Sequence, residues 1–242
     1  MVFDSQMISP AKQPVKSGLV GFAIDASVSH HDSDPVERLL ESILVWSEET
    51  YGAETLAQAK EGFFQRTGKT FHDDDIFNLR MRYFNDCFIF EWHPVLTDST
   101  AGPSPYAAFR AANPEVSSEI VNVRHSIFRV TKISKEGLVV EDCLTQNKIK
   151  VQERFPNNFL AIKKGDTFQG FIYVLGERNL LSNGLIFHPT DAYKYIKSII
   201  KKAKKAGTLK ESTLIYELAK TQLRFHRHPH VRAKIIYSQQ NP

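Results

Sequence analysis

Three consecutive carboxylates, Asp73, Asp74 and Asp75, follow His72 in the stretch FHDDDIFNLRMRYFNDCFIFEWHP. Clustered carboxylates are how metal-dependent hydrolases hold a hard divalent cation, because such an ion needs several oxygen ligands in one small volume. Residues adjacent in sequence serve that purpose badly. On a helix they point about 100° apart, so all three converge only where a loop bends them inward. The same residues are well suited to starting a helix. An aspartate at the helix start accepts from the exposed N–H groups, and a carboxylate in the first turn is favoured by the helix dipole. Downstream, Phe77, Met81, Phe84 and Phe88 recur at spacings of four, three and four, the stripe of a core helix. The expectation is that Asp73 or Asp74 caps a helix that Pro94 stops. A metal-dependent hydrolase built on Asp73–Asp75 ranks third among the functions considered.

The remaining chemical candidates are thinner. His72 and His93 flank the same helix, and some eighteen helical residues would hold them about 27 Å apart, too far to share an ion. The stretch RTGKT, Arg66 to Thr70, looks like the end of a phosphate-binding loop. That loop needs a glycine where this chain has Phe63, and Gly62 falls one residue too far away. Neither a G-x-S-x-G elbow nor an H-E-x-x-H pair occurs. Cys87 sits beside the aromatic stripe and Cys143 in a β-rich run, so both read as small core residues rather than reactive thiols. With two cysteines and no C-x-x-C, a reducing, cytoplasmic setting is expected. The longest early apolar run, Gly18 to Ile24, is far short of the roughly twenty residues of a membrane helix. A binding protein is therefore expected rather than an enzyme, with no cofactor and no resident metal.

Charge gives the strongest remaining signal. The net charge of +4 hides an asymmetry: Lys194 to Lys234 holds twelve Lys or Arg against Glu211 and Glu217, while the rest holds 19 bases and 25 acids. In YKYIKSIIKKAKKAG, Tyr195 or Ile196 with Ile199, Ile200 and Ala203 form an inward face, leaving the lysines outside. Clustered cations release counterions on meeting phosphates, giving salt-dependent, largely sequence-independent affinity. The expected contacts with nucleic acid are Lys197, Lys201, Lys202, Lys204, Lys205, Arg224 and Arg227, with Phe225 and Tyr237 as stacking platforms if exposed. Two bland readings stand beside this one: a solvated helix face, or docking of the basic end onto the acidic helices. An acidic protein or a membrane surface is a further candidate partner. His226, His228 and His230 alternate, but Pro229 and the lack of a completing Cys or acid make them a polar tail rather than a metal site.

These candidates sit on four segments. Residues 1–33 read as a flexible arm. Residues 34–122 read as a helical domain: Asp34 caps a first helix with Pro35 at its first position, Gly52 ends it, a second runs to Gly68, and Ser104 caps a short fourth. Residues 123–189 hold five β-rich runs, HSIFRVTKIS, GLVVEDCL, NKIKVQE, DTFQGFIYVLGE and NGLIFHP. That density suggests a small antiparallel β-barrel of SH3 or OB size. Residues 190–242 give two basic helices and a tail. The fold class expected is α+β.

Quoted together, F..RM.YF.D.F from Phe77 to Phe88, S.F.V from Ser126, GLVVED from Gly137 and KGD.F from Lys164 carry a resemblance. Over roughly residues 34–190 the chain resembles an uncharacterised bacterial protein family that joins a helical N-terminal domain to a small β-barrel. The resemblance implies that architecture and brings no activity, cofactor or catalytic residue with it. A second function class, a protein-interaction or scaffold module using the barrel or the aromatic helices, is kept beside nucleic-acid binding.

Overall fold

The structure, a computed structural model, describes residues 34–95, 100–116, 120–154, 159 and 161–238. The expected arm at 1–33 and the last four residues lie outside them. The chain is mixed α+β. Helix α1 spans Pro35–Thr67 and starts as its sequence dictates, with Asp34 accepting from Val36 N at 2.9 Å and Pro35 in the first turn. Gly52, at φ 79°, leaves helical geometry and kinks α1 where the sequence pointed to a stop. Helix α2 spans Phe77–Glu91 and α3 Pro105–Ala112, the latter capped by Ser104.

Strands β1 (Ile120–Ser134), β2 (Gly137–Asp142), β3 (Lys148–Val151), β4 (Thr167–Leu175), β5 (Arg178–Leu181) and β6 (Ile186–His188) form one antiparallel sheet. Its order is β3-β2-β1-β4-β5, with β6 also paired to β4. The expected barrel is corrected here, because the sheet does not close. Its outer strands are only four residues each and meet at one parallel bridge, Gln152 with Leu180, instead of a ladder. Strand β5 was hidden in the sequence because RNLL lacks β-branched residues. A two-residue turn, Gly176 at φ 55° and Glu177, nevertheless folds it back onto β4.

After a 3₁₀ turn at Thr190–Ala192 come α4 (Tyr193–Ala206), α5 (Glu211–Arg227) and α6 (Ala233–Ser238). Helix α6 lies where a tail was expected, with Ala233, Ile236 and Tyr237 buried. The largest apolar cluster joins α1, α2 and α3 to β1, β4, β5 and α5, so the early helices pack directly on the sheet. A second cluster joins β1 through Ile127 to α4, α5 and α6. Contact between α2 and the sheet is close. A methyl group on Gly184 would sit 2.5 Å from Tyr83 N and 2.6 Å from its Cα. Charge reinforces the seam: Arg154, its side chain 1% exposed, pairs with Asp34, with Glu37 at 2.9 Å and with Leu181 O at 3.2 Å.

Candidate functional site

Helix α4 turns out as its pattern requires. Ile196, Ile199, Ile200 and Ala203 are buried against the sheet and the neighbouring helices, so Lys194, Lys197, Lys201, Lys202, Lys204 and Lys205 are left outside. No acidic residue lies within α4. Lys204 extends Nζ to the carbonyl of Leu144, in the turn after β2. Arg129 on β1 stacks on Tyr193, its guanidinium 3.7 Å from the ring centre, and continues the positive surface off the helix. Burial, with Glu141 and Asp142, pushes the nearby Cys143 thiol up to about 12 against the pull of Arg129 and Lys197.

The other expected contacts are spent differently. Arg227 donates to Lys69 O at 2.8 Å and to Asp74 Oδ2 at 3.0 Å. His226 bonds Asp75 at 2.8 Å. Docking of the basic end onto the acidic helices, one reading of the sequence, is thus present at the α5 terminus, whereas no lysine of α4 pairs with an acid among the described residues. Arg224 is exposed on α5, one turn before Arg227. Tyr237 is 1% exposed and Phe225 packs on it, so Tyr237 is no stacking platform.

The aspartates also need correcting. Helix α2 begins at Phe77, and its N-cap residue Ile76 makes no side-chain cap. Asp74 instead reaches backward: its Oδ2 accepts from Phe71 N at 2.9 Å and its carbonyl accepts from Phe77 N. The bond to Phe71 N is the main force holding the Asp74 carboxyl below its ordinary value, with Arg227 adding to it. Asp73 therefore lies within a turn that Asp74 closes, and Asp74 and Asp75 receive α5. Among the described residues no group of three His, Cys, Asp or Glu side chains could hold a metal ion. His72 packs against Phe77 with its ring tilted and His93 bonds Gly102 O, so the two flanking histidines act locally.

A second constellation, invisible in the sequence, runs through the interior. Gln169 on β4 donates both amide hydrogens, to Tyr83 Oη at 2.9 Å and Ile215 O at 3.1 Å. Its Oε1 must then accept from His188 Nε2, 3.2 Å away, which makes His188 Nδ1 the acceptor for Tyr237 Oη at 2.9 Å. Burial depresses the His188 imidazole to about 3, so it stays neutral in this arrangement. Tyr83, whose hydroxyl burial holds well above its ordinary value, donates to His125 Nε2 at 2.7 Å. His125 donates from Nδ1 to Glu91 Oε1 at 2.7 Å, and Tyr216 donates to Glu91 Oε2 at 2.7 Å. Every bond in the series Tyr237–His188–Gln169–Tyr83–His125 therefore points toward Glu91. Both nitrogens of His125 are consumed, and its ring stacks on Phe171 at 4.1 Å. The Glu91–His125 pair is thus a structural anchor joining α2 to β1, without a nitrogen left to act as a general base.

Burial pushes the Glu91 carboxyl up, but the bond and the potential of His125, then the bond from Tyr216 and the potential of Arg66, outweigh it, leaving the group below its ordinary value and ionised. Asp86 on α2 is the opposite case. It is 4% exposed, and burial raises it to about 7, with Glu37 adding to the rise and the bond from Tyr173 Oη at 2.5 Å opposing it. Cys87, buried in the aromatic stripe, has its thiol raised well above the ordinary value by burial. Comparison with family models, with curated proteins and with solved structures found no match. Among the described residues no helix is long and apolar enough to cross a membrane.

Proposed function

We propose that the protein binds nucleic acid through the lysine face of α4, as a non-enzymatic binding module. One observation carries the reading: six lysines stand outside a 14-residue helix that has no acidic residue and whose apolar face is already buried. A merely solvated face mixes signs, whereas this one offers a fixed row of cations with Arg129 beside it. Lys197, Lys201 and Lys205 recur every four residues, which sets them about 6 Å apart along the axis, a spacing suited to successive phosphates. Lys202 and Lys194 flank that row. Arg227 is left out of the proposed interface, because its bonds to Asp74 and Lys69 O compete with a phosphate.

The test is fluorescence anisotropy with labelled single-stranded and duplex oligonucleotides across about 50–200 mM salt. Four or five phosphate contacts give a slope of log K against log salt of about −4. The triple variant Lys197→Glu, Lys201→Glu, Lys205→Glu should reduce that slope by about three and abolish measurable binding at the upper end of the salt range. Absent or salt-insensitive binding, or a triple variant that binds like the parent, would overturn the reading. Charge-driven adsorption to an acidic protein or an anionic membrane surface is the competing outcome. Insertion into lipid is not expected, because the Ile196, Ile199 and Ile200 face is already packed inside the protein.

A further inference from the structure

Beside the Glu91 anchor, α2, α3 and β1 leave a cleft of about 350 Å³ whose lining does not include Arg66. Its lining includes Phe90, Glu91, Tyr106, Asn122, His125 and Phe171. Phe90 and Tyr106 are half-buried, their ring centres 5.2 Å apart, and Phe90 lies 5.9 Å from Phe171. Tyr106 is fixed by its hydroxyl, which donates to Ile120 O at 2.5 Å. Glu91 keeps 29% of its side chain exposed. No Lys or Arg is among the described residues that line the cleft.

The hydrogen accounting gives this cleft its chemistry. The direct partners of Glu91 are the donors His125 Nδ1–H and Tyr216 Oη–H. Each carboxylate oxygen accepts once from the protein and retains a second lone pair. An ionised carboxylate thus sits half-buried among aromatic walls, in a cleft whose described lining holds no Lys or Arg to occupy its free lone pairs. A hard divalent cation does not suit the site, because it needs several oxygen ligands and only one carboxylate is there. An organic cation does suit it, since an ammonium group bonds the carboxylate while the negative faces of the rings attract its charge.

We propose that this cleft binds a small organic ammonium ion, with the charged nitrogen on Glu91 and the carbon substituents against Phe90 and Tyr106. The site stands independently of the lysine face on α4. The test uses the full chain and follows amide chemical shifts during titration with butylammonium, tetramethylammonium and the neutral butan-1-ol. Butylammonium binds saturably, with a dissociation constant of about 1 mM, and moves resonances near residues 90–91, 104–106 and 122–125. Butan-1-ol binds at least about tenfold more weakly, as does butylammonium to Glu91→Gln. Because Glu91→Gln also alters the His125 anchor, Tyr106→Leu provides a second arm: it leaves Glu91 and His125 in place and weakens binding about threefold to tenfold. Tighter binding of the quaternary ion assigns most of the recognition to the rings, and tighter binding of the primary amine assigns it to the carboxylate; both support the site. Equal affinity for butan-1-ol, unchanged affinity in Glu91→Gln, or no saturable shift up to about 50 mM ammonium overturns it.

Discussion

Replacing Asp86 by Asn should change how the stability of this protein responds to pH. Asp86 is buried on α2, with its carboxyl raised from an ordinary 3.8 to about 7 and burial as the chief cause. A carboxyl raised on folding holds its proton more tightly in the folded state. Its contribution to stability is fully present below the unfolded value and is lost as pH rises through the folded value. The window therefore runs from about pH 4 to pH 7, with a slope near 1.4 kcal/mol per unit and a total of about 4 kcal/mol. Asn has the shape of the protonated acid and still accepts from Tyr173, but it does not titrate. Urea unfolding followed by Trp46 and Trp92 fluorescence at a series of pH values gives the difference directly. Near pH 4 the two proteins should agree within about 1 kcal/mol, and by pH 8 Asp86→Asn should be more stable by about 4 kcal/mol. His188 works in the other direction. Its depressed value means that stability present above its unfolded value near 6.5 is lost as pH falls toward about 3. The two slopes oppose each other between about pH 4 and 6.5, so the parent should be less acid-sensitive there than the variant. A difference that stays flat from pH 4 to pH 8 would refute the reasoning, because Asp86 would then titrate alike folded and unfolded.

Two further expectations concern the seams between elements. Gly184→Ala drives a methyl group into the α2 backbone at Tyr83, where nothing flexible can yield, and should cost about 3 kcal/mol, read as a lowered urea midpoint at constant m. Arg227→Ala removes an exposed pair with Asp74 and should change stability by less than about 1 kcal/mol. The same variant should leave the salt slope of nucleic-acid binding unchanged; a slope smaller by about one would mean that Arg227 leaves Asp74 to meet a phosphate.

Local signals were legible where local physics governs. Asp34 and Ser104 cap their helices, the Phe77, Met81, Phe84 and Phe88 stripe is buried, and α4 puts the expected apolar face inward. The start of α2 was misplaced because Asp74 has two local choices: it bonds backward to Phe71 N, and no pattern in the sequence ranks that above a forward cap. Strands could be read from their composition, but sheet closure depends on whether β3 and β5 find each other across the fold. The Glu91 anchor had no sequence signal at all. His125 lies 34 residues from Glu91, and Gln169, His188 and Tyr216 are farther still, so only the packing of α2, β1, β4 and α5 brings them together. The basic end was legible in sign but not in allocation, since Arg227 meets Asp74 only after α5 docks.

The interior series that ends on Tyr237 also sets an order of events while the chain is being made. Arg80, 1% exposed on α2, takes Ala219 O as one of its partners, and His188 waits for Tyr237. As the polypeptide leaves the ribosome, α1, α2 and the whole sheet emerge before either partner exists. The β1 surface around Ile127 then stays uncovered until α4, α5 and α6 arrive. Early elements can collapse, but they cannot satisfy their own polar groups. Folding should therefore remain reversible and open to chaperones until the residues around 237 have cleared the exit tunnel, and shut cooperatively afterwards.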